Sequence, residues 1–356
     1  MRRSSRPTRS EARARGPARR SEPAAKAPAA AASYRYFPVT PLLLFSDTRT
    51  EFRVYLKQGE QYVLYTKEQD HFTDKHREML HKKGITKVFV NSDQKYLYDK
   101  HVEQNLAVIM EMDALPLEDR AELLYSTAQF VMKNVFEFRL PDRFNAQTFK
   151  RVVDLVTASV HFLDKPGAFK KLSAHISHNY AVWSHCVQVF WYSMSVLKTF
   201  KVAEGTLVKC GLGAILHDIG KCKISRDILA KGEKLSDEEW VEMRKHPFFG
   251  MAQCVAVPIP HEAAKCIMFH HERMDGRGYA YGMQGELIPV YVRVVSACDA
   301  FDALTCDRAY GKAVSGAEAL RIMTEEMQGA FDPEVIKRLE AVAKGLGLVQ
   351  GESAQA

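Results

Sequence analysis

The sequence predicts a mainly helical protein preceded by a small α/β domain, and three observations carry that prediction. From about residue 93 onward, apolar residues recur with helical period over 97–112, 117–137 and 145–163. Between 34 and 92 the pattern instead alternates every second residue and is punctuated by turn-forming residues. A chain of 356 residues with 46% hydrophobic content can bury a sizeable core, and its length suits about two domains.

Residues 1–32 hold nine basic residues, eight Arg and Lys26, against Glu11 and Glu22, a surplus equal to the whole formal charge of +7. With almost no large apolar residue before Tyr34, this segment cannot offset the entropy of ordering and is expected to be a disordered tail. Its composition resembles a transit peptide, but it lacks the apolar core of a secretory signal. Deleting it is therefore expected to leave the thermal melting temperature nearly unchanged; a large drop would mean that the tail packs. The rest of the chain is neutral, so no net excess of cations is available for a nucleic-acid stripe.

Residues 33–92 read as a small mixed regulatory or dimerisation domain. Phe52-Arg53-Val54-Tyr55-Leu56, a turn around Gly59 and Tyr62-Val63-Leu64-Tyr65 predict a hairpin. Thr73 is placed as an N-cap, Gly84 lies past the helix end, and Ile85 to Val90 follow as a strand. His71, His76 and His81 have no catalytic spacing and read as surface residues. Residues 93–144 are expected to be a packed helical connector, since no apolar heptad is sustained. A larger helical domain follows over 145–345, with a flexible C-terminus at 346–356. No segment reaches the ~18 uncharged apolar residues of a membrane span. The seven cysteines are odd in number and include no Cys-x-x-Cys, which fits small buried residues in a reducing cytoplasm.

The chemistry concentrates in the last half. His217-Asp218-Ile219-Gly220-Lys221 ends an apolar helix; His185 precedes it, and His246, His270-His271 and Asp299 follow. Imidazole and carboxylate ligands suit Fe, Mn, Zn or Co, and a shared carboxylate can bridge two ions. Each residue alone has an ordinary structural explanation: a histidine on an apolar helix is more often a satisfied core residue than a ligand. The order and the flanking residues give the set its meaning.

That order resembles the HD-GYP family of HD phosphohydrolases over about residues 175–315. The match runs through Tyr180-x4-His185, His217-Asp218-Ile219-Gly220-Lys221, Ile228-Leu229, Leu235 to Trp240, and His246-Pro247 with Gly250. It continues through His270-His271-Glu272-Arg273, Asp275-Gly276-Arg277-Gly278-Tyr279, Ile288-Pro289 and Asp299 to Thr305. The resemblance implies an all-helical metal domain that hydrolyses cyclic di-GMP to pGpG, with further cleavage to GMP left open. It implies two divalent ions, Fe or Mn first. His185, His217, Asp218 and Asp299 would hold one; Asp218 would bridge to a second held by His246, His270 and His271.

Asp218 and Lys221 are the implied catalytic residues, and Lys221, Arg308, Lys312, Gly278 and Tyr279 the implied substrate contacts. Lys221, four residues past His217, shares its face if the helix persists and offers a charge to phosphate. Glu272, Arg293 and Asp302 read as supporting residues. Two departures stand out: Ala280 replaces the proline of Gly-Tyr-Pro, and Gly311 replaces a frequently basic position. If the chain is helical from Tyr180, Ala181 faces the first metal with a methyl where some members carry a metal-recruiting glutamate, which predicts two ions instead of three.

The implied partner is cyclic di-GMP, with neither nucleic acid nor membrane; a homodimer is compatible, and the Gly278-Tyr279-Ala280 loop offers a surface for a protein. Two rival readings stay open: a non-catalytic signalling module that keeps its metals, and a phosphohydrolase of another cyclic dinucleotide.

Overall fold

The computed structural model describes residues 35–45, 48–137, 144–176, 181–307 and 311–349. The tail expected at 1–32, Tyr180 and Arg308 lie outside the described residues. The described residues from Tyr36 onward form one compact unit.

Its N-terminal part contains β1 (Tyr36–Val39), β2 (Thr48–Arg49), β3 (Val54–Gln58), β4 (Gln61–Thr66), β5 (His71–Phe72), α1 (Asp74–Lys82) and β6 (Val88–Asn91). Four strands make an antiparallel sheet in the order β1-β6-β3-β4, and β2 pairs with β5. The predicted hairpin is β3–β4, with Gly59 at φ +60° in its turn and a register shift at Val54/Tyr55. Helix α1 starts after Thr73, whose backbone N–H donates to His76 Nδ1 at 3.1 Å. Strand β6 begins three residues later than Ile85 for a local reason. Beyond Gly84, at φ +67°, the N–H of Ile85 closes the helix end by donating to Leu80 O at 2.9 Å, so it is withdrawn from the ladder. Strand β1 was not legible in advance; Pro38 interrupts its alternation.

The helical part comprises α2 (Lys95–Gln104), α3 (Leu106–Met110), α4 (Leu117–Glu137), α5 (Ala146–Phe162), α6 (Ala168–Ser173), α7 (Val182–Thr199) and α8 (Glu204–Leu216). A 3₁₀ turn at Ile219–Lys223 leads to α9 (Arg226–Leu229), α10 (Asp237–Met243), α11 (His246–Cys254) and α12 (His261–Phe269). The last helices are α13 (Val290–Thr305), α14 (Gly316–Arg321) with a π turn at Ile322–Glu326, and α15 (Pro333–Gly345). The predicted helix 97–112 is split at Asn105, whose side-chain amide donates to His101 O at 2.8 Å and competes with the backbone for that carbonyl. Helix α4 spans the predicted 117–137, and α5 fills 145–163 behind Asn145, whose Oδ1 accepts from Thr148 N at 2.9 Å.

One apolar cluster runs from Val39, Val54 and Val90 of the sheet through Ile109, Leu124 and Val156 to the interior around α7. Helix α7 is buried on nearly all sides from Ser184 to Leu197, which its Val, Phe and Trp content permits. It packs against α4, α8, α13 and α15. A polar residue on such a helix needs a partner, and that need brings the histidines and aspartates together. Among the described residues no helix is long and apolar enough to cross a membrane.

Candidate metal centre

His185 projects from the first turn of α7, His217 and Asp218 end α8, His246 opens α11, His270 and His271 end α12, and Asp299 lies on α13. The end of α8 reaches α12 through Gly213, where a Cβ would stand 2.5 Å from Cys266 Cβ, and reaches α11 through Gly220. A Cβ at Gly220 would stand 1.9 Å from His246 O and 2.4 Å from Gly250 N, so the 3₁₀ turn lies backbone against backbone on α11. This contact explains why glycine follows the His-Asp pair at that spacing.

The two oxygens of Asp218 face different imidazoles. Oδ2 lies 3.6 Å from His185 Nε2 and 3.5 Å from His217 Nε2. Oδ1 lies 3.4 Å from His246 Nε2 and 3.8 Å from His270 Nε2. Asp299 closes the ring, with Oδ1 3.0 Å from His185 Nε2 and Oδ2 3.7 Å from His271 Nδ1. Donor atoms of Asp218, His246, His270 and His271 fall within 4.8 Å of one another, as do those of His185, His217 and Asp299. All seven predicted ligands are thus brought to one place.

The imidazoles are oriented from behind. His217 Nδ1 meets Ala214 O at 2.8 Å, His246 Nδ1 meets Met243 O at 2.8 Å, and His270 Nδ1 meets Cys266 O at 3.1 Å. In each case a proton on Nδ1 donates to the carbonyl and turns the Nε2 lone pair inward. His185 Nδ1 uses the buried carboxylate of Asp302, 2.6 Å away, one helical turn beyond Asp299. Burial holds His246 down at about 4 and His271 at about 3, so both are neutral at neutral pH. Burial would also lower His185, but the hydrogen bonds to Asp299 and Asp302 outweigh it and raise it to about 9. Asp218 and Asp299 are buried, which opposes ionisation, yet Lys221 beside Asp218 and His185 beside Asp299 keep both carboxyls well below the ordinary range.

These residues fit a metal. Asp218 Oδ1 and His217 Nε2 are buried without a hydrogen-bond partner among the described residues, each at a cost of about 1–3 kcal/mol that a cation would relieve. His246 Nε2 and His270 Nε2 are only 3.2 Å apart and aimed at the same space. Cys186 Sγ also comes within 4.8 Å of donor atoms of His217 and Asp218. Burial raises its thiol well above the usual value.

Several predicted placements need revision. Lys221 does not share a helix face with His217, because α8 ends at Leu216; it sits on the 3₁₀ turn with Nζ 2.5 Å from Asp218 Oδ2. Its charge is used on that carboxylate and not on a helix end. Ala181 is not helical: it is the extended N-cap of α7, at φ −132° and ψ 145°, with its carbonyl accepting from His185 N at 2.9 Å. The one-turn argument that aimed its methyl at a metal therefore fails. Lys312 stands in solvent with Nζ 3.4 Å from Asp307 Oδ2.

The loop after α12 reaches the centre. Tyr279 stacks on His271 with centroids 4.6 Å apart, and Arg244 lies 5.6 Å from the same ring. Gly278 must be glycine, since a Cβ would come within 2.5 Å of His271 O. Buried Glu272 ties the loop down by accepting from Tyr281 N at 2.6 Å and Met283 N at 2.9 Å, a supporting role. Arg293 is another structural residue, paired with Asp332 at 2.9 Å. Sequence reasoning did not single out Arg244; Trp240, four residues earlier and 5.9 Å from its guanidinium, was the available signal.

An HD-domain family matches residues 169–335. The chain is 32% identical over 232 residues to the cyclic di-GMP phosphodiesterase PA4108 of Pseudomonas aeruginosa, covering 64% of this chain and 54% of that protein. It is 32% identical over 171 residues to the 3'3'-cGAMP-specific phosphodiesterase 3 of Vibrio cholerae, covering 48% of this chain and 36% of that one. The chain thus spans about half, or less, of the length of these relatives. Among solved structures, Bd1817, a HDG"Y"P protein from Bdellovibrio bacteriovorus, superposes with a TM-score of 0.59 at 20% identity, covering 87% of this chain and all of that one, a likeness of fold. Residues 169–335 thus match an HD domain, and parts of the chain are similar to proteins named as cyclic-dinucleotide phosphodiesterases.

Proposed function

We propose that this protein is a metal-dependent phosphodiesterase that opens cyclic di-GMP to pGpG, using two divalent ions, Fe or Mn first. The observation that carries this reading is the divided carboxylate of Asp218, with His185 and His217 near one oxygen and His246 and His270 near the other. His185, His217, Asp299 and Asp218 Oδ2 would hold one ion; His246, His270, His271 and Asp218 Oδ1 the other. When bound, such ions lower the pKa of water and offset charge on the phosphoryl oxygens.

The chain's own residues supply the rest. The carbonyls behind His217, His246 and His270, and Asp302 behind His185, hold the rings in one tautomer. The centre opens to solvent at His271 and Asp299, whose side chains are 24% and 13% exposed, so substrate enters there. Lys221, 13% exposed and paired with Asp218, would also offer its charge to a substrate phosphate. Lys221→Ala is expected to keep the metals while raising KM or lowering kcat about tenfold; unchanged kinetics would restrict the lysine to balancing Asp218.

Relatives are named for two different cyclic dinucleotides, so the decisive experiment is a panel. Anaerobically metal-loaded protein is incubated with cyclic di-GMP, 3'3'-cGAMP and cyclic di-AMP, and products are followed by chromatography. Cleavage of cyclic di-GMP first supports the proposal; preference for 3'3'-cGAMP reassigns the substrate; no cleavage of any favours a non-catalytic module.

A further inference from the structure

A cavity of about 1290 Å³ adjoins the centre and is lined by Trp183, Lys221, Cys222, Lys223 and Arg226 among others. It is larger than the ~300–1,000 Å³ of an ordinary small-molecule site. Two elements that carry metal-centre residues also wall it. Trp183 lies two residues before His185 at the start of α7, and Lys221 to Lys223 belong to the turn that follows Asp218. Lys221 is common to both, bound to Asp218 Oδ2 and lining the cavity.

Among the described residues the cavity's charge is not balanced. Of its other charged lining residues, Glu137 pairs with Lys133 at 3.6 Å and Arg151 pairs with Glu103 at 2.5 Å. Lys223 and Arg226 are exposed and have no ion pair among the described residues. The half-buried Trp183 ring adds a flat apolar surface, with Lys133 Nζ 5.9 Å from its centroid. Unmatched positive charge beside an aromatic wall is the chemistry of a nucleotide half, phosphate on cations and base on a ring.

We infer that this cavity is a second subsite, taking the distal phosphate on Lys223 and Arg226 and the distal base on Trp183 while the scissile phosphate lies at the metal centre. The inference rests on the cyclic-dinucleotide reading above. A cyclic dinucleotide carries two phosphates, only one of which can be cut at a time, so the other needs its own cations, and this is where unpaired ones stand.

Cys222 reports on occupancy directly, since it lines the cavity and is the only exposed one of the seven cysteines. Full-length, metal-loaded protein is treated with a maleimide, with and without a hydrolysis-resistant phosphorothioate analogue of cyclic di-GMP, and Cys222 labelling is followed by mass spectrometry. Saturating analogue is expected to slow labelling at least about tenfold. Trp183→Ala and Arg226→Ala are each expected to raise the analogue's Kd about tenfold, the arginine variant also with a shallower salt dependence, at unchanged metal content. Undiminished labelling, or unchanged Kd in both variants, in a protein that cleaves cyclic di-GMP overturns the subsite and leaves the activity standing. Protection without cleavage keeps the subsite and removes the catalytic reading; neither protection nor cleavage removes both.

Discussion

Asp218→Ala is expected to abolish hydrolysis and strip the protein of most of its metal. Each oxygen of Asp218 faces two imidazoles, those of His185 and His217 on one side and of His246 and His270 on the other, at 3.4–3.8 Å, so its removal takes a donor from each proposed site at once. It also leaves the Lys221 ammonium, now held 2.5 Å from Asp218 Oδ2, without its counter-charge beside a cluster of imidazoles. A cation there repels divalent ions. Loss of several kcal/mol of transition-state stabilisation corresponds to a rate at least about a thousandfold lower. Because the alanine variant unpairs a buried charge, Asp218→Asn serves beside it: the shape is kept, the negative charge is not, and metal content should still fall. His217→Ala should behave similarly on the side of His185 and Asp299. Near wild-type turnover in a folded, metal-poor Asp218→Asn protein would sink the mechanism.

The candidate metal ligands were legible in the sequence because ligand chemistry restricts residue type and helix ends restrict order. His217-Asp218 closes α8 and His270-His271 closes α12, and a pair at a helix end can aim two side chains into one space. The long helices were legible for a different reason. In α4 the buried Ala121, Leu124, Tyr125, Ala128, Val131 and Met132 follow the helical period without a break. What could not be read was where local hydrogen bonds override that period, as at Asn105, or where a helix stops. Lys221 lies four residues past His217, which suggests a shared face, yet α8 has ended and the lysine turns back to Asp218. Ala181 failed in the same way at the other end of a helix. The cavity was invisible for a third reason: Trp183, Lys223 and Arg226 are ordinary residues in sequence, and only the packing of α4, α5, α7 and the 3₁₀ turn sets them around one space.

Gly220→Ala is the other substitution with a large expected effect, and it touches no metal. The added methyl would fall 1.9 Å from His246 O and 2.4 Å from Gly250 N, both backbone atoms of α11, so no side chain can rotate away to admit it. Either the turn at Ile219–Lys223 or the start of α11 must move, and each carries part of the centre, Lys221 on one and His246 on the other. Overpacking of this kind costs about 1–3 kcal/mol and more where backbone is the obstacle. The expected result is a lower melting temperature together with weaker retention of metal, the second ion first, since His246 is displaced relative to Asp218. Gly205→Ala is the control: it lies in the same helix as the residues leading to His217, a Cβ there meets nothing within 4 Å, and replacing a helical glycine should leave stability equal or up to about 1 kcal/mol higher. If Gly220→Ala melts with the control and keeps its full metal content, the backbone contact between the turn and α11 is not what assembles the site.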